Sequence, residues 1–250
     1  MSTHRFYIEP GKWNPDDLVL AGAEAHHCVE VVRCGVGDKI TVFNGQGAEA
    51  TAEILEIGKT GLRLGAMIHS RSEPLPVRIA LGQAIPKGKN MEFIIQKATE
   101  LGARRLFPLL SERSVVRLDQ AERERKHEKW KRIALEAAKQ SGQNWLPEVA
   151  APDTPEKFFA REAGGFDLML IASLQADAAH FKTVLEEHNE LHGHGPASVL
   201  VLIGPEGDFT PAEIALARTA GCLPVTLGPI VLRTETAALY SLSVLAHELF

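Results

Sequence analysis

Short apolar runs separated by turn residues fill the first 72 residues of the chain. Glycine-containing stretches at 35–38 and 44–47 divide these runs, and such spacing is typical of short strands joined by turns. One helix is predicted near Glu24 to Arg33. The predicted strands are Arg5 to Glu9, Leu18 to Leu20, Lys39 to Phe43, Ala48 to Ile57 and Leu62 to Ile68. Together they predict a small β-barrel-like module.

The pattern changes after a linker at 70–76 that carries two prolines, because proline interrupts both helix and strand. Apolar strands then alternate with helices, which is typical of a largely parallel sheet covered on both faces. The sequence therefore predicts two domains, residues 1–72 and an α/β domain at residues 73–250. The predicted strands are Val77 to Ala84, Arg105 to Leu110, Phe166 to Ala172, Ser198 to Ile203 and Pro224 to Leu227, and the main helices are Asn90 to Leu101, Ala121 to Gln140 and Thr236 to Leu249.

Composition narrows the class of protein. The longest apolar runs fall far short of the roughly 20 residues of a membrane span, and the first residues lack a charged-then-apolar export pattern. We therefore expect a cytoplasmic protein. Three cysteines show no metal-ligand spacing, and the run His26-His27-Cys28 has no second cluster to complete four ligands. We expect neither a disulfide framework nor a metal site.

The net charge of -5 argues by itself against a nucleic-acid partner, but the charge is unevenly distributed. Residues 73–132 carry 14 lysines and arginines against 8 acidic residues. A local basic stretch decides phosphate contact, because surface fields are screened within about 10 Å. For Arg123 to Arg132 alone a solvated helix face is the more ordinary interpretation. Lys87, Lys89 and the arginines at 104, 105, 113 and 117 keep an RNA partner open.

Three loops follow predicted strands at the edge where ligands bind in parallel sheets. They are 171–173, 204–209 and 227–237. Thr210, Pro211 and Glu213 form a capping-box sequence that predicts a helix directly after the second loop. Glycines there allow close backbone approach to a ligand, although tight turns between strand and helix would need the same residues. The density of polar groups in the third loop favours a ligand site.

Several common enzyme classes are unsupported. No G-x-G-x-x-G follows a strand, so an ordinary dinucleotide or Rossmann-type methyltransferase site is not indicated. The chain also contains no phosphate-binding P-loop and no G-x-S-x-G of the usual hydrolases.

The motifs of the chain resemble the RsmE family, the 16S ribosomal RNA uridine N3-methyltransferases of the SPOUT (trefoil-knot) superfamily. The resemblance covers nearly the whole chain, and its last two motifs together are highly specific. Asp208 stands where the family usually has a second glycine. The matching motifs are Arg5-Phe6, His26-His27 with Arg33, 96–102, 111–114, Gln140-Ser141-Gly142, Ile203-Gly204-Pro205-Glu206-Gly207 and Leu232-Arg233-Thr234-Glu235-Thr236-Ala237.

The resemblance implies a fold, a cofactor and partners. The fold is a SPOUT-type knotted parallel-sheet methyltransferase domain preceded by a PUA-like RNA-binding β-barrel domain. The cofactor is S-adenosyl-L-methionine, and the partners are 16S ribosomal RNA, within the small ribosomal subunit, and a second copy of the chain. The residues expected to bind the cofactor are Ala172, Ser173, Leu202, Gly204, Pro205, Glu206, Gly207, Leu227, Gly228, Leu232, Arg233, Thr234, Glu235 and Thr236.

Arg233 and Glu235 are the expected catalytic residues. Uracil N3 carries a proton and is a poor nucleophile, so an enzyme must favour its anion. Arg233 is placed to stabilise charge on a uracil carbonyl oxygen, and Glu235 or Glu206 to accept the proton. For Glu235 a role in favouring the helix dipole is equally open. The expected RNA contacts are Arg5, Lys87, Lys89, Arg113 and Arg117.

Two other functions stay open at this point. One is a methyltransferase of the same superfamily acting on transfer RNA or on a ribose 2'-hydroxyl. The other is a noncatalytic RNA-binding assembly factor that retains the fold, against which the intact loops around Gly204 and Arg233 argue.

Overall fold

The computed structural model describes residues 4–250, and they form two compact units. The first unit extends to Pro74 and includes Leu135–Leu146, and the second comprises Leu75–Ala134 and Pro147–Phe250. The sequence had assigned residues 135–146 to the second domain. They belong to the first because Trp145 donates its indole N–H to the Ser72 carbonyl at 3.0 Å and Lys139 pairs with Glu24 at 3.1 Å.

The first unit is built on a five-stranded sheet of order β1-β3-β4-β5-β2. Strand β1 runs parallel to β3, and the remaining neighbours are antiparallel. Apolar side chains facing one side, such as Ile40, Ala52 and Ile54, build a separate core. The strands are β1 Arg5–Tyr7, β2 Leu18–Ala21, β3 Lys39–Phe43, β4 Ala48–Ile57 and β5 Gly61–Arg71.

The helix expected in the first unit starts earlier than predicted and changes its winding. It runs as α1 Gly22–His26 and continues as a π-helical turn, His27–Val31. Cys28 points into the core from this turn and is fully buried. Burial raises the pKa of the Cys28 thiol to about 12, with Cys34 adding to the shift. The thiol therefore stays protonated and serves packing.

The second unit contains a six-stranded sheet in which every neighbouring pair is parallel, of order β11-β9-β10-β6-β7-β8. Strand β10 lies near the centre and is buried along its whole length. Its alternate residues feed two cores on opposite faces, Val201 on one and Leu202 on the other. The strands are β6 Arg78–Ala84, β7 Arg105–Leu109, β8 Glu148–Val149, β9 Leu168–Ala172, β10 Ser198–Ile203 and β11 Leu223–Val225.

Helices cover both faces of this sheet, as expected for parallel strands. The helix α4 and the two-residue strand β8 were not predicted. The helix α3 continues into the segment that belongs to the first unit. None of the helices in residues 4–250 has the length and apolar character needed to cross a bilayer. The helices are α2 Asn90–Glu100, α3 Gln120–Ser141, α4 Pro155–Glu162, α5 Phe181–His192, α6 Pro211–Thr219 and α7 Thr234–Leu249.

Candidate active site

The three loops singled out in the sequence meet at the carboxyl edge of the second sheet. They follow β9, β10 and β11, which are neighbours in the sheet, and they enclose a cavity of about 310 Å³. This volume is at the lower end of small-molecule sites. The lining residues are Ala172, Ser173, Leu174, Ile203, Gly204, Pro205, Glu206, Asp208, Leu227, Gly228, Ile230, Val231, Leu232, Arg233, Thr234 and Ala237.

The loop after β10 is held by the start of α6. Thr210 accepts a hydrogen bond from the Glu213 amide at 3.2 Å, and the Glu213 carboxylate accepts from the Thr210 amide at 2.8 Å, which confirms the predicted capping box. The buried Glu213 carboxylate also accepts from the Ser111 hydroxyl at 3.2 Å and the Glu112 amide at 2.9 Å. The Glu213 carboxylate thus accepts hydrogen bonds from residues 111–112 and from Thr210, and it holds the loop after β10 against the segment at 111–112.

The loop before α7 supplies apolar walls and free main-chain donors. Leu227 and Leu232 line the cavity, and Gly228 has a positive φ of 106° that a side chain would strain. The amides of residues 230–233 donate to no group in the part of the chain that the structure describes. Unpaired amides beside an apolar wall suit a ligand with acceptor atoms, because a bound ligand satisfies donors that the protein leaves open.

A hydrogen-bond chain fastens the last two loops together. The Thr234 hydroxyl donates to the Gly204 carbonyl at 2.7 Å and accepts from Gln83 Nε2 at 3.1 Å. The Thr234 hydroxyl has a single proton, which it donates to Gly204. The Gln83 side chain must therefore turn its NH2 group, and not its oxygen, toward Thr234. Gln83 also donates to the Ala84 carbonyl at 2.8 Å. The end of β6 therefore sets the spacing of the two cavity walls.

The expected catalytic residues differ in their surroundings. Arg233 caps α7, lines the cavity and is exposed. Its side chain has no hydrogen-bond or ion-pair partner among residues 4–250. Glu235 accepts from Asn90 Nδ2 at 3.3 Å and does not line the cavity. Glu206, the alternative proton acceptor, does line it.

Most of the expected cofactor residues surround the cavity. Leu202 does not, because its side chain points to the opposite face of β10 from Ile203 and packs toward Gly82. Gly207, Glu235 and Thr236 also lie outside the lining. Residues that line the cavity but were not expected are Leu174, Ile203, Asp208, Ile230, Val231 and Ala237. These six residues lie close in sequence to expected cofactor residues, and this proximity is the feature of the sequence that could have identified them.

Four of the five expected RNA contacts are exposed side chains of the second unit, and two of them belong to segments that contact the loop after β10. The Lys87 amide donates to Glu206 Oε1 at 3.3 Å, and Arg113 donates to the Gly207 carbonyl at 3.0 Å. Arg117 donates to the Glu112 carbonyl at 3.0 Å. We call Lys87, Lys89, Arg113 and Arg117 the basic rim.

The fifth, Arg5, lies in the first unit and is already engaged. Its guanidinium pairs with Glu49 and donates to Asn144 Oδ1 at 2.6 Å. It also lies over the Phe43 ring at 4.9 Å. Arg5 borders a cavity of about 470 Å³ within that unit. The charge of Arg5 is therefore compensated by Glu49, and Arg5 stabilises the fold of the first unit. Its contact with RNA stays a prediction.

Comparisons with known proteins identify the family. A family profile described as an RNA methyltransferase domain matches residues 73–246, and one described as an RNA methyltransferase PUA domain matches residues 20–65. Ribosomal RNA small subunit methyltransferase E of Bacillus subtilis is 33% identical, over 98% of this chain and 96% of that protein. The chain belongs to the RsmE family.

Solved structures agree with this RsmE assignment. A methyltransferase of Legionella pneumophila with bound SAM aligns at a TM-score of 0.86 and 34% identity, covering 99% of this chain and 98% of that one. The Neisseria gonorrhoeae ribosomal RNA small subunit methyltransferase E bound to S-adenosyl methionine aligns at 0.83 and 28%, covering 99% and 98%. The predicted fold class, a SPOUT-type knotted α/β domain with a PUA-like domain, is confirmed.

Proposed function

We propose that this RsmE-family chain transfers a methyl group from S-adenosylmethionine to N3 of a uridine in 16S ribosomal RNA. The observation that carries the proposal is the cavity at the ends of β9, β10 and β11, with an unpaired Arg233 at its wall. Family membership supports the class of reaction.

The residues present fit this cofactor. Aliphatic walls from Leu227 and Leu232 suit a purine ring, and the open amides of residues 230–233 suit its acceptor atoms or a carboxylate. Glu206 and Asp208 bring negative charge next to a cationic ligand. When bound, S-adenosylmethionine supplies an electrophilic methyl group on a sulfonium and leaves as a neutral thioether.

The protein must make uracil N3 nucleophilic. Removing its proton places negative charge on the neighbouring carbonyl oxygens, and the guanidinium of Arg233 stabilises that charge as it develops. Glu206 is the better proton acceptor because it lines the cavity, whereas Glu235 is held by Asn90 outside it. Glu235 lies in the first turn of α7, where the negative charge of a carboxylate interacts favourably with the helix dipole and stabilises the helix.

The basic rim is proposed to contact RNA phosphates. Its four side chains are exposed, and the segments carrying Lys87 and Arg113 touch the loop that forms one cavity wall. Phosphate contacts orient a nucleic acid without reading its sequence. A ribosomal RNA substrate would also place the enzyme in the cytoplasm.

We also propose that the enzyme is a homodimer. The side chains of Leu174, Ile230 and Val231 line the cavity and are 68%, 73% and 75% exposed. Exposed apolar patches of this kind mark interaction surfaces. Replacing Ile230 and Val231 with aspartate should shift the mass measured by light scattering to that of one chain. A single-chain mass for the unaltered protein would contradict the proposal.

The deciding experiment is methyl transfer from labelled cofactor to small ribosomal subunits, followed by mass spectrometry of the nucleosides. The expected product is N3-methyluridine. Methylated transfer RNA or a 2'-O-methyl nucleoside would point to the alternative substrates, and no transfer to any RNA would point to a noncatalytic assembly factor.

Arg233→Ala should abolish transfer with unchanged circular dichroism, and Arg233→Lys, which keeps the charge, is the matched control. Normal turnover by the alanine variant would remove Arg233 from the mechanism.

A further inference from the structure

Asp208 occupies a backbone conformation that side chains usually avoid. Its φ of +60° lies in the left-handed region, which only Asp208 and Arg33 adopt among the non-glycine residues that the structure describes. Aspartate and asparagine tolerate this region better than other residues, because their short side chains bond locally. Here Asp208 Oδ1 accepts from the Phe209 amide at 2.7 Å, while the Asp208 amide donates to the Pro205 carbonyl at 2.9 Å.

These contacts hold the carboxylate next to Gly204, which also lines the cavity. A Cβ built on Gly204 would lie 3.2 Å from Asp208 Oδ1, so the carboxylate covers the backbone of Gly204. Asp208 lines the cavity and is half-buried. Only Oδ1 has a partner within residues 4–250, and Oδ2 remains open to a ligand.

The charges around the cavity are unbalanced. Its lining contains two carboxylates, Glu206 and Asp208, and one cation, Arg233, which gives a formal charge of -1. The methyl donor carries a sulfonium, an ammonium and a carboxylate, so its net charge is +1. After transfer the sulfur is a neutral thioether and the net charge of the product is zero. The loss of charge on sulfur is the main electrostatic difference between the two ligands.

We propose that Asp208 is a specificity-determining residue that favours the sulfonium donor over the thioether product by charge. This inference rests on the proposed function, because it concerns the same cavity. Coulomb attraction acts on the donor's extra charge and has no counterpart in the product. The carboxylate therefore disfavours product inhibition, and the locally bonded left-handed turn keeps it in place.

Isothermal titration calorimetry with S-adenosylmethionine and S-adenosylhomocysteine tests the proposal. Asp208→Asn keeps the size, the tolerance of positive φ and an acceptor for the Phe209 amide, while it removes the charge and replaces the open Oδ2 acceptor with an amide donor. For unit charges several ångströms apart in a half-exposed site, the preference for donor over product should fall by about three- to tenfold. The fall should shrink in high salt.

Two further variants separate the causes. Asp208→Gly removes the carboxylate and relaxes the backbone, and it should lower the preference as much as Asp208→Asn does. Glu190→Gln on α5 makes the same change in net charge away from the cavity and should leave the preference unchanged. An unchanged preference in both Asp208 variants, or an equal loss in Glu190→Gln, would overturn the inference while the proposed function stands. If the unaltered protein binds neither ligand, the proposed function itself fails.

Discussion

Replacing Thr234 with valine removes one hydroxyl that joins two walls of the cavity. Valine has nearly the same shape as threonine and differs by a methyl group in place of the hydroxyl, so the space filled by this buried side chain is nearly unchanged. The Gly204 carbonyl loses its donor, and Gln83 Nε2 loses one of its two acceptors. The change thus isolates the hydrogen bonds from the volume.

The loss of stability can be worked out from the two hydrogen bonds of Thr234, to Gly204 and from Gln83. Each of the two hydrogen bonds that are lost contributes about 0.5–1.5 kcal/mol, and Gly204 itself is half-buried. Gln83 keeps its bond to the Ala84 carbonyl, so most of the loss falls on Gly204. We expect the free energy of unfolding to fall by about 2 kcal/mol, which corresponds to a melting temperature lower by about 4–8 °C for a domain of this size. The affinity for S-adenosylmethionine should fall as well, because the two loops lose their common anchor.

Urea unfolding followed by circular dichroism measures the stability, and hydrogen exchange at residues 203–209 locates the change. Thr234→Ser is the matched control, since it keeps the hydroxyl and removes only a methyl group. A loss below about 0.5 kcal/mol in the valine variant, or an equal loss in the serine variant, would contradict the stabilising role of these hydrogen bonds.

Two other predictions follow from the second unit. Burial, and then the charges of His192 and His194, lower the pKa of the His188 imidazole below its usual 6.5, against the opposing effect of Asp167. Because the folded protein resists protonation of His188, the free energy of unfolding should fall as the pH drops from about 6.5 toward the lower folded pKa. In His188→Gln the free energy of unfolding, measured by urea titration at several pH values, should depend less on pH across this window. An unchanged slope would contradict the prediction. Charge reversal of the basic rim to glutamate should weaken binding to 16S ribosomal RNA and flatten its dependence on salt; filter binding at several salt concentrations measures this, and an unaltered slope would exclude these side chains from the interface.

Features that depend on neighbouring residues could be predicted from the amino-acid sequence alone. Ser198 to Ile203 was predicted as a strand with the observed bounds, because the five apolar residues Val199 to Ile203 form a short continuous run. The capping box at Thr210 and Glu213 was readable because its members lie three residues apart. The order of strands and helices placed three loops at one sheet edge, and the motifs in those loops indicated the family.

Features that depend on contacts between distant residues became visible only in the folded chain. Residues 135–146 join the first unit through Trp145 and Lys139, whose partners Ser72 and Glu24 lie far away in sequence. Arg5 is predicted from the sequence as an RNA contact, and only the fold shows that Glu49 lies beside it. The direction of Leu202 away from the cavity and the left-handed turn at Asp208 follow from strand register and loop closure. Local pattern carries no information on these pairings, because they arise only when separate segments pack together.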